Sequence, residues 1–183
     1  MADVTINFDN LNALLSKVNL DPITADSSGG YEELKDGYYL SEVEKAELTV
    51  SKNSGNPQVA MTFKIVEDGI GSYIDERGYQ KFSKIEHTKN RKIFKYYPLA
   101  TEKDVNRFVS DMLKFEGDTP GEPILPKEAF TTGETIEEAV DALVGFRIYV
   151  QASTTIKKGT EEKQTWYNLI SWNRATQFNL PTE

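Results

Sequence analysis

The 183-residue chain is 38% hydrophobic, which suits one domain of ordinary size with a real core, and its formal net charge of -8 argues against a protein that coats duplex DNA by bulk attraction or settles on anionic membranes. With no cysteine and a single histidine, His87, a disulfide framework, a thiolate metal site and a histidine-based zinc site are excluded as expectations, and no metal or other cofactor is expected. No apolar run approaches the ~20 residues a membrane span needs, and the N-terminus lacks the basic-then-apolar pattern of a secretion signal, so a cytoplasmic, membrane-free protein is expected.

Phe8, Leu11, Leu14, Leu15 and Val18 fall at helical spacing, with Asp9 or Asn10 available as a cap and Asp21-Pro22 as the stop. A short amphipathic helix is predicted there, followed by a linker-like stretch, TADSSGG, at residues 24–30. The helix either packs on the body or serves as an arm for another subunit or a replication partner. Residues 1–30 are thus read as an arm, 31–172 as the folded domain and 173–183 as a polar tail.

Residues 37–69 organise the domain. Two long strands flank the polar turn Ser51-Lys52-Asn53-Ser54-Gly55-Asn56-Pro57. In the second, Val59, Met61, Phe63 and Ile65 share one face, and Ala60, Thr62 and Lys64 the other. In the first, Tyr39, Ser41 and Val43 point one way, and then the apolar series shifts phase to Ala46, Leu48 and Val50. An extra residue near Glu44 and Lys45, a β-bulge, restores a single buried face and bends the strand as a small barrel requires. Residues 69–78 (GIGSYIDERG) read as a turn or hairpin tip.

The charge balance then reverses. Lys81, Lys84, Lys89, Arg91, Lys92 and Lys95 crowd into fifteen residues opposed by Glu86, with Tyr79, Phe82, Phe94, Tyr96 and Tyr97 interleaved, and residues 91–97 read as a strand closed by Pro98. Thr101 with Asp104 caps a helix whose stripe is Val105, Phe108, Val109, Met112 and Phe115, stopped by Gly117. Thr135 with Glu138 is expected to cap a second, carrying Ile136, Ala139, Val140 and Leu143 up to Gly145. Residues 146–152 form a strand with Phe146, Ile148, Val150 and Ala152 inward and Arg147, Tyr149 and Gln151 outward. Beyond the turn Lys157-Lys158-Gly159-Thr160, the strand of residues 164–172 completes the set.

The expected architecture is therefore mainly β with a helical insertion: a five-stranded OB-fold-like barrel, helices between the third and fourth strands, and a short N-terminal helix. A protein that holds single strands without reading sequence needs cations for phosphates and flat rings for bases. Lys81, Lys84, Lys89, Arg91, Lys92 and Lys95 are assigned to phosphates, aided by Arg147, and Tyr79, Phe94, Tyr96, Tyr149 and Trp166 to stacking. Lysine-rich loops are also ordinary solvated surface and a defence of edge strands, and barrel aromatics are often core. Residues 51–55 lack the spacing of a P-loop, His87 has only a sequence neighbour, Glu86, to work with, and the paired acids read as solvated faces or helix starts. No catalytic residue is assigned.

The run from Asp36 to Gly69 resembles the opening of a group of small phage-encoded proteins, often left without an assigned function and found among replication and recombination genes. The resemblance rests on Gly37 and Tyr39, on the turn carrying Ser51, Lys52, Gly55, Asn56 and Pro57, on the hydrophobic strand after it, and on the aromatic strand near Trp166. It implies an OB-fold, single-stranded DNA as partner, replication or recombination proteins as further partners, and the cytoplasm of an infected bacterium as location; homo-oligomerisation stays open. Many single-strand-binding proteins similar to this group end in an acidic docking tail, whereas residues 179–183 carry one side-chain acid. The rival readings are a protein-interaction module, such as a virion component or an inhibitor of a host enzyme, acting through the acidic surface and the N-terminal helix, then an oligosaccharide-binding barrel, and last an enzyme.

Overall fold

The computed structural model describes residues 8–17 and 33–182. Residues Phe8–Lys17 form helix α1, with Asp9 in the first turn, where a carboxylate suits the positive end of the helix. Phe8 and Leu15, two turns apart, are both exposed. The expected helix end beyond Lys17, the stop at Asp21-Pro22 and the linker of residues 24–30 lie outside the described residues. The second unit, Leu34–Glu183, carries everything else.

That unit is mainly β. Seven strands make one antiparallel sheet: β1 (Gly37–Val50), β2 (Pro57–Ile65), β3 (Gly69–Ile74), β4 (Gln80–Ile85), β5 (Lys92–Pro98), β6 (Arg147–Ile156) and β7 (Lys163–Ile170). Helices α2 (Glu102–Met112) and α3 (Gly133–Ala142), with a 3-10 turn at Lys127–Phe130, lie in the chain between β5 and β6, and α4 (Trp172–Gln177) follows β7. Strand β1 is the hub. It pairs with β2 over residues 41–50, with β3 at Tyr38, and along its other edge with β6 over residues 37–42. Strands β6, β1, β2 and β5 lie side by side in Greek-key order, with β7 outside β6. Among the described residues no ladder joins β5 to β7, so the sheet is open, and the expected count of five strands becomes seven.

The two added strands are β3 and β4, where a bare turn was expected; the turn shrinks to Asp75–Gly78, held by the Asp75 carboxylate accepting from the backbone of Arg77 and Tyr79, each at 2.9 Å. Of the glycines that disguised β3, Gly69 is there for space, since a Cβ on it would lie 2.3 Å from the Tyr39 ring; opposite, a Cβ on Gly37 of β1 would lie 2.7 Å from the Ile70 carbonyl. The bulge falls where the phase shift puts it, with the β1–β2 register slipping between Val43 and Lys45. Tyr39, Val43 and Ala46 consequently join Val59, Met61, Phe63 and Ile65 in one core, while Val50, past the end of the buried series, is exposed.

Helices α2 and α3 close the underside of that core with Phe108, Met112, Ile136, Val140 and Leu143. Thr101 and Asp104 form the capping box of α2 as expected. The helix ends at Met112, short of Gly117, and Phe115 reaches the core from the following turn. The cap of helix α3 lies three residues before the expected one: Thr132 is the N-cap, its hydroxyl accepting from Thr135 N at 3.1 Å, and the Thr135 hydroxyl reciprocates from the third helical position. Phe146, expected inward, is 41% exposed because the Gly145–Phe146 link runs along the edge of β1 instead, bonded to both polar atoms of the Val43 backbone at 2.8 and 2.9 Å. Ile148, Val150 and Ala152 are inward as read.

Strand β7 stops at Ile170, and Trp172 opens α4 rather than closing the strand, because the Ser171 hydroxyl caps the helix by accepting from Arg174 N. Nor are residues 173–182 a loose polar tail. Leu40, Tyr149, Ile170, Ala175 and Leu180 form a second small core on the outer face of the sheet, with Phe178 against Tyr38 and Leu180 N bonded to Ala175 O at 2.9 Å. The last segment thus covers the β1, β6 and β7 half of the outer face. Among the described residues of this unit, none forms such a cover over the β1–β2–β5 half.

Candidate nucleic-acid interface

Strand alternation decides which side chains reach the bare face. On β5, Ile93 and Tyr97 turn into the core, and Lys92, Phe94 and Tyr96 turn outward. Register then sets them in rows across the sheet. Arg147, Glu42, Lys64 and Lys92 are successive partners across β6, β1, β2 and β5. Lys45, Thr62 and Phe94 form the next row, Glu47, Ala60 and Tyr96 the one after, and Thr49, Gln58 and Pro98 the last.

The last three of these rows, Pro98 aside, floor an open trough of about 580 Å³, walled at one end by Val50, Ser51, Lys52 and Asn53 of the β1–β2 turn. Phe94 and Tyr96 stand 56% and 61% exposed along it. Two residues apart on a strand, they are about 7 Å from each other. On β2 their cross-strand partners are the small residues Thr62 and Ala60. Lys45 and Lys52 line the trough with the rings, and Lys64 and Lys92 pair in the row next to it. Acids answer some of them, with Lys45 Nζ 3.5 Å from Glu47 and Lys92 Nζ 3.0 Å from Glu44.

Of the residues singled out from the sequence, Phe94 and Tyr96 meet in this trough, and Lys92 and Arg147 lie at the two ends of the row beside it. The others go elsewhere. Lys95 turns inward, where its ammonium donates to the Tyr167 carbonyl of β7 and sits 5.3 Å from the centre of the Tyr97 ring. Burial pushes its pKa down, partly offset by the charge of Asp111. Its work is to span the two strands that share no ladder. Tyr149 is also lost to stacking: it is buried beneath α4, edge-on to Trp172, and its hydroxyl donates to Pro181 O at 2.5 Å. Burial raises that hydroxyl's pKa to about 12.

Tyr79, Lys81 and Lys84 belong to the β3–β4 hairpin, where Lys84 pairs with Asp68 at 3.4 Å. The Asp68 carboxylate also accepts from the backbone N–H groups of Lys89 and Thr88, which, with Lys84, hold its pKa below the usual carboxylate range. Lys89 is exposed on that turn, and Arg91 is half-buried near the Tyr39 hydroxyl, whose pKa burial raises to about 12 against the pull of the Arg91 charge. Trp166 is 51% exposed on the β6–β7 hairpin, its indole N–H donating to Thr155 Oγ1 at 3.0 Å. His87 stands exposed in the turn with a φ of 64°.

Lys45, Lys52, Lys64, Ala60 and Thr62 were not singled out from the sequence. The available signal was the wet face of β2, whose small residues alternate with a perfect core series and lie opposite two rings once β5 is placed beside it. Among the described residues no cluster of three or more His, Asp or Glu side chains suits a metal ion, and no helix is long and apolar enough to cross a membrane.

The fold and the trough together define a mainly β chain with a ring-bearing sheet face left open by the described residues of its unit. A family model described as a protein of unknown function, DUF669, matches residues 21–96, a stretch that includes β1 to β4 and both exposed rings of β5. No curated protein matches the chain.

Proposed function

We propose that this chain is a non-catalytic, largely sequence-independent single-stranded DNA-binding protein acting in phage replication or recombination, in the cytoplasm of the infected bacterium. One observation carries the reading: two exposed rings stand side by side on an uncovered sheet face, with amines around them. Base stacking on such a platform contributes about 1 to 3 kcal/mol per base and tolerates any sequence, because every base has a π-face. Lys52, Lys64 and Arg147 are placed to follow the phosphates. A duplex keeps its bases inside and offers the rings nothing, so strand selectivity follows from the same arrangement.

The Greek-key order of β6, β1, β2 and β5 with β7 beyond it supports an OB-fold-derived body, opened at the β5–β7 seam and enlarged by the β3–β4 hairpin. The exposed face next to the β1–β2 turn is where that architecture presents oligonucleotide sites.

Fluorescence anisotropy with a labelled thirty-nucleotide strand of mixed sequence, and with its duplex, tests the reading at low salt. The expected result is binding to the strand, weaker binding to the duplex, and loss of strand affinity by about 1 to 3 kcal/mol for each of Phe94→Ala and Tyr96→Ala. No binding to the strand removes the proposal.

A further inference from the structure

Lys92, two residues before Phe94 on β5, and Lys45, in the same row as Phe94, are not offered freely. Glu44 is the residue that the bulge inserts into β1, and Lys92 is on β5; β2 lies between these strands, which places their backbones about 10 Å apart. The 3.0 Å contact between their side chains therefore crosses over β2, a bar at the Lys64 end of the trough. On the other flank of Phe94, Lys45 is paired at 3.5 Å with Glu47, which shares its row with Tyr96. All four side chains remain substantially exposed, at 50% and 38% for the bar and 66% and 50% for the second pair, so both contacts can exchange with a ligand in solution.

Resting on the DNA-binding reading above, we infer that Glu44 and Glu47 are specificity-determining residues of the trough: they hold Lys92 and Lys45 in reserve, so that stacking rather than charge selects the ligand. A phosphate that takes either amine frees a carboxylate. That carboxylate gathers a cation from solution and cancels much of the counterion release that drives phosphate binding. Affinity for a ligand with nothing but phosphates to offer is thereby suppressed. A strand whose bases reach Phe94 and Tyr96 keeps its stacking energy undiminished.

The test compares the wild-type chain with Glu44→Gln, Glu47→Gln and the double variant, using the same thirty-nucleotide strand and its duplex at several salt concentrations. Exposed ion pairs contribute little, so each substitution should raise low-salt affinity by about two- to five-fold. The double variant should steepen the plot of log affinity against log salt by about 1.4 for the strand, two phosphate contacts at about 0.7 each, and by more for the duplex. Duplex affinity should rise by the larger factor. Wild-type binding with an unchanged slope and an unchanged strand-to-duplex ratio in the double variant would overturn this inference while leaving the DNA-binding reading in place. Absence of any strand binding by the wild type overturns both. Glutamine keeps size and polarity at exposed positions, and an unaltered far-UV circular dichroism spectrum confirms that a change in binding is not a change in fold.

Discussion

Single side chains divide the labour sharply within β5. Phe94 and Tyr96 face water, while their neighbours Ile93 and Tyr97 are sealed in the core and Lys95 is spent on the seam with β7. Tyr97 shows how strongly the inner face is committed: its hydroxyl donates to Asp111 Oδ2 at 2.7 Å, and burial first, then the Asp111 charge, hold its pKa well above the ordinary value. Gly69 is the counterpart on β3, required for closeness rather than for backbone freedom. Replacing it with alanine would drive a methyl group into the fully buried Tyr39 ring, and such overpacking costs about 1 to 3 kcal/mol. Urea unfolding of Gly69→Ala should show that loss; an unchanged midpoint would mean that Tyr39 has room to move.

At the scale of elements, what could be read from the sequence was what local physics fixes. The β1–β2 hairpin, its bulge, the α2 capping box and the apolar stripes of α2 and α3 are all written in periodicity and turn chemistry, within reach of a one-dimensional pattern. The strands β3 and β4 were not, because Gly69, which reads locally as a turn residue, answers to the ring of Tyr39, a residue distant in sequence. The same holds for the site. That Phe94 and Tyr96 share a face is visible in a two-residue spacing, but that Lys45, Thr62 and Ala60 complete it depends on β2 lying between β1 and β5. Lys95 misled for the opposite reason: charge suggests water, yet a long amine whose stem can lie in the core satisfies a carbonyl on another strand. Tyr149 misled because nothing local announces that residues 171–181 fold back over it.

That returning segment gives a pH prediction. The hydroxyls of Tyr39 and Tyr149 have pKa values near 12 in the folded chain against 10 in the unfolded one, so the folded state binds protons more tightly. Their contribution to stability is complete below pH 10 and is lost as pH rises from 10 towards 12. Thermal unfolding followed across that range should show a falling midpoint, and Tyr149→Phe should reduce the fall. Equal pH dependence in the variant would assign the effect to other groups.

Taken as a whole, an acidic chain with a net charge of -8 is poorly suited to nucleic acid except where its surface is arranged to suit it. The outer sheet face is arranged in two halves. Residues 171–181 seal one half, over Leu40, Tyr149 and Ile170, and leave the other half to the rings. The lysines of the β3–β4 hairpin and of the β6–β7 turn lie outside that floor, so removing them should change low-salt affinity less than removing either ring.

Ultraviolet cross-linking of the intact chain to an oligothymidine, followed by mass mapping of the adducts, tests this division of the surface most directly. The account predicts adducts on Phe94 and Tyr96 of β5, diminished by an excess of unlabelled strand and less by an equal excess of duplex. Adducts confined to Tyr73 and Tyr79 of the β3–β4 hairpin, or to Trp166, with β5 unmodified, would contradict it.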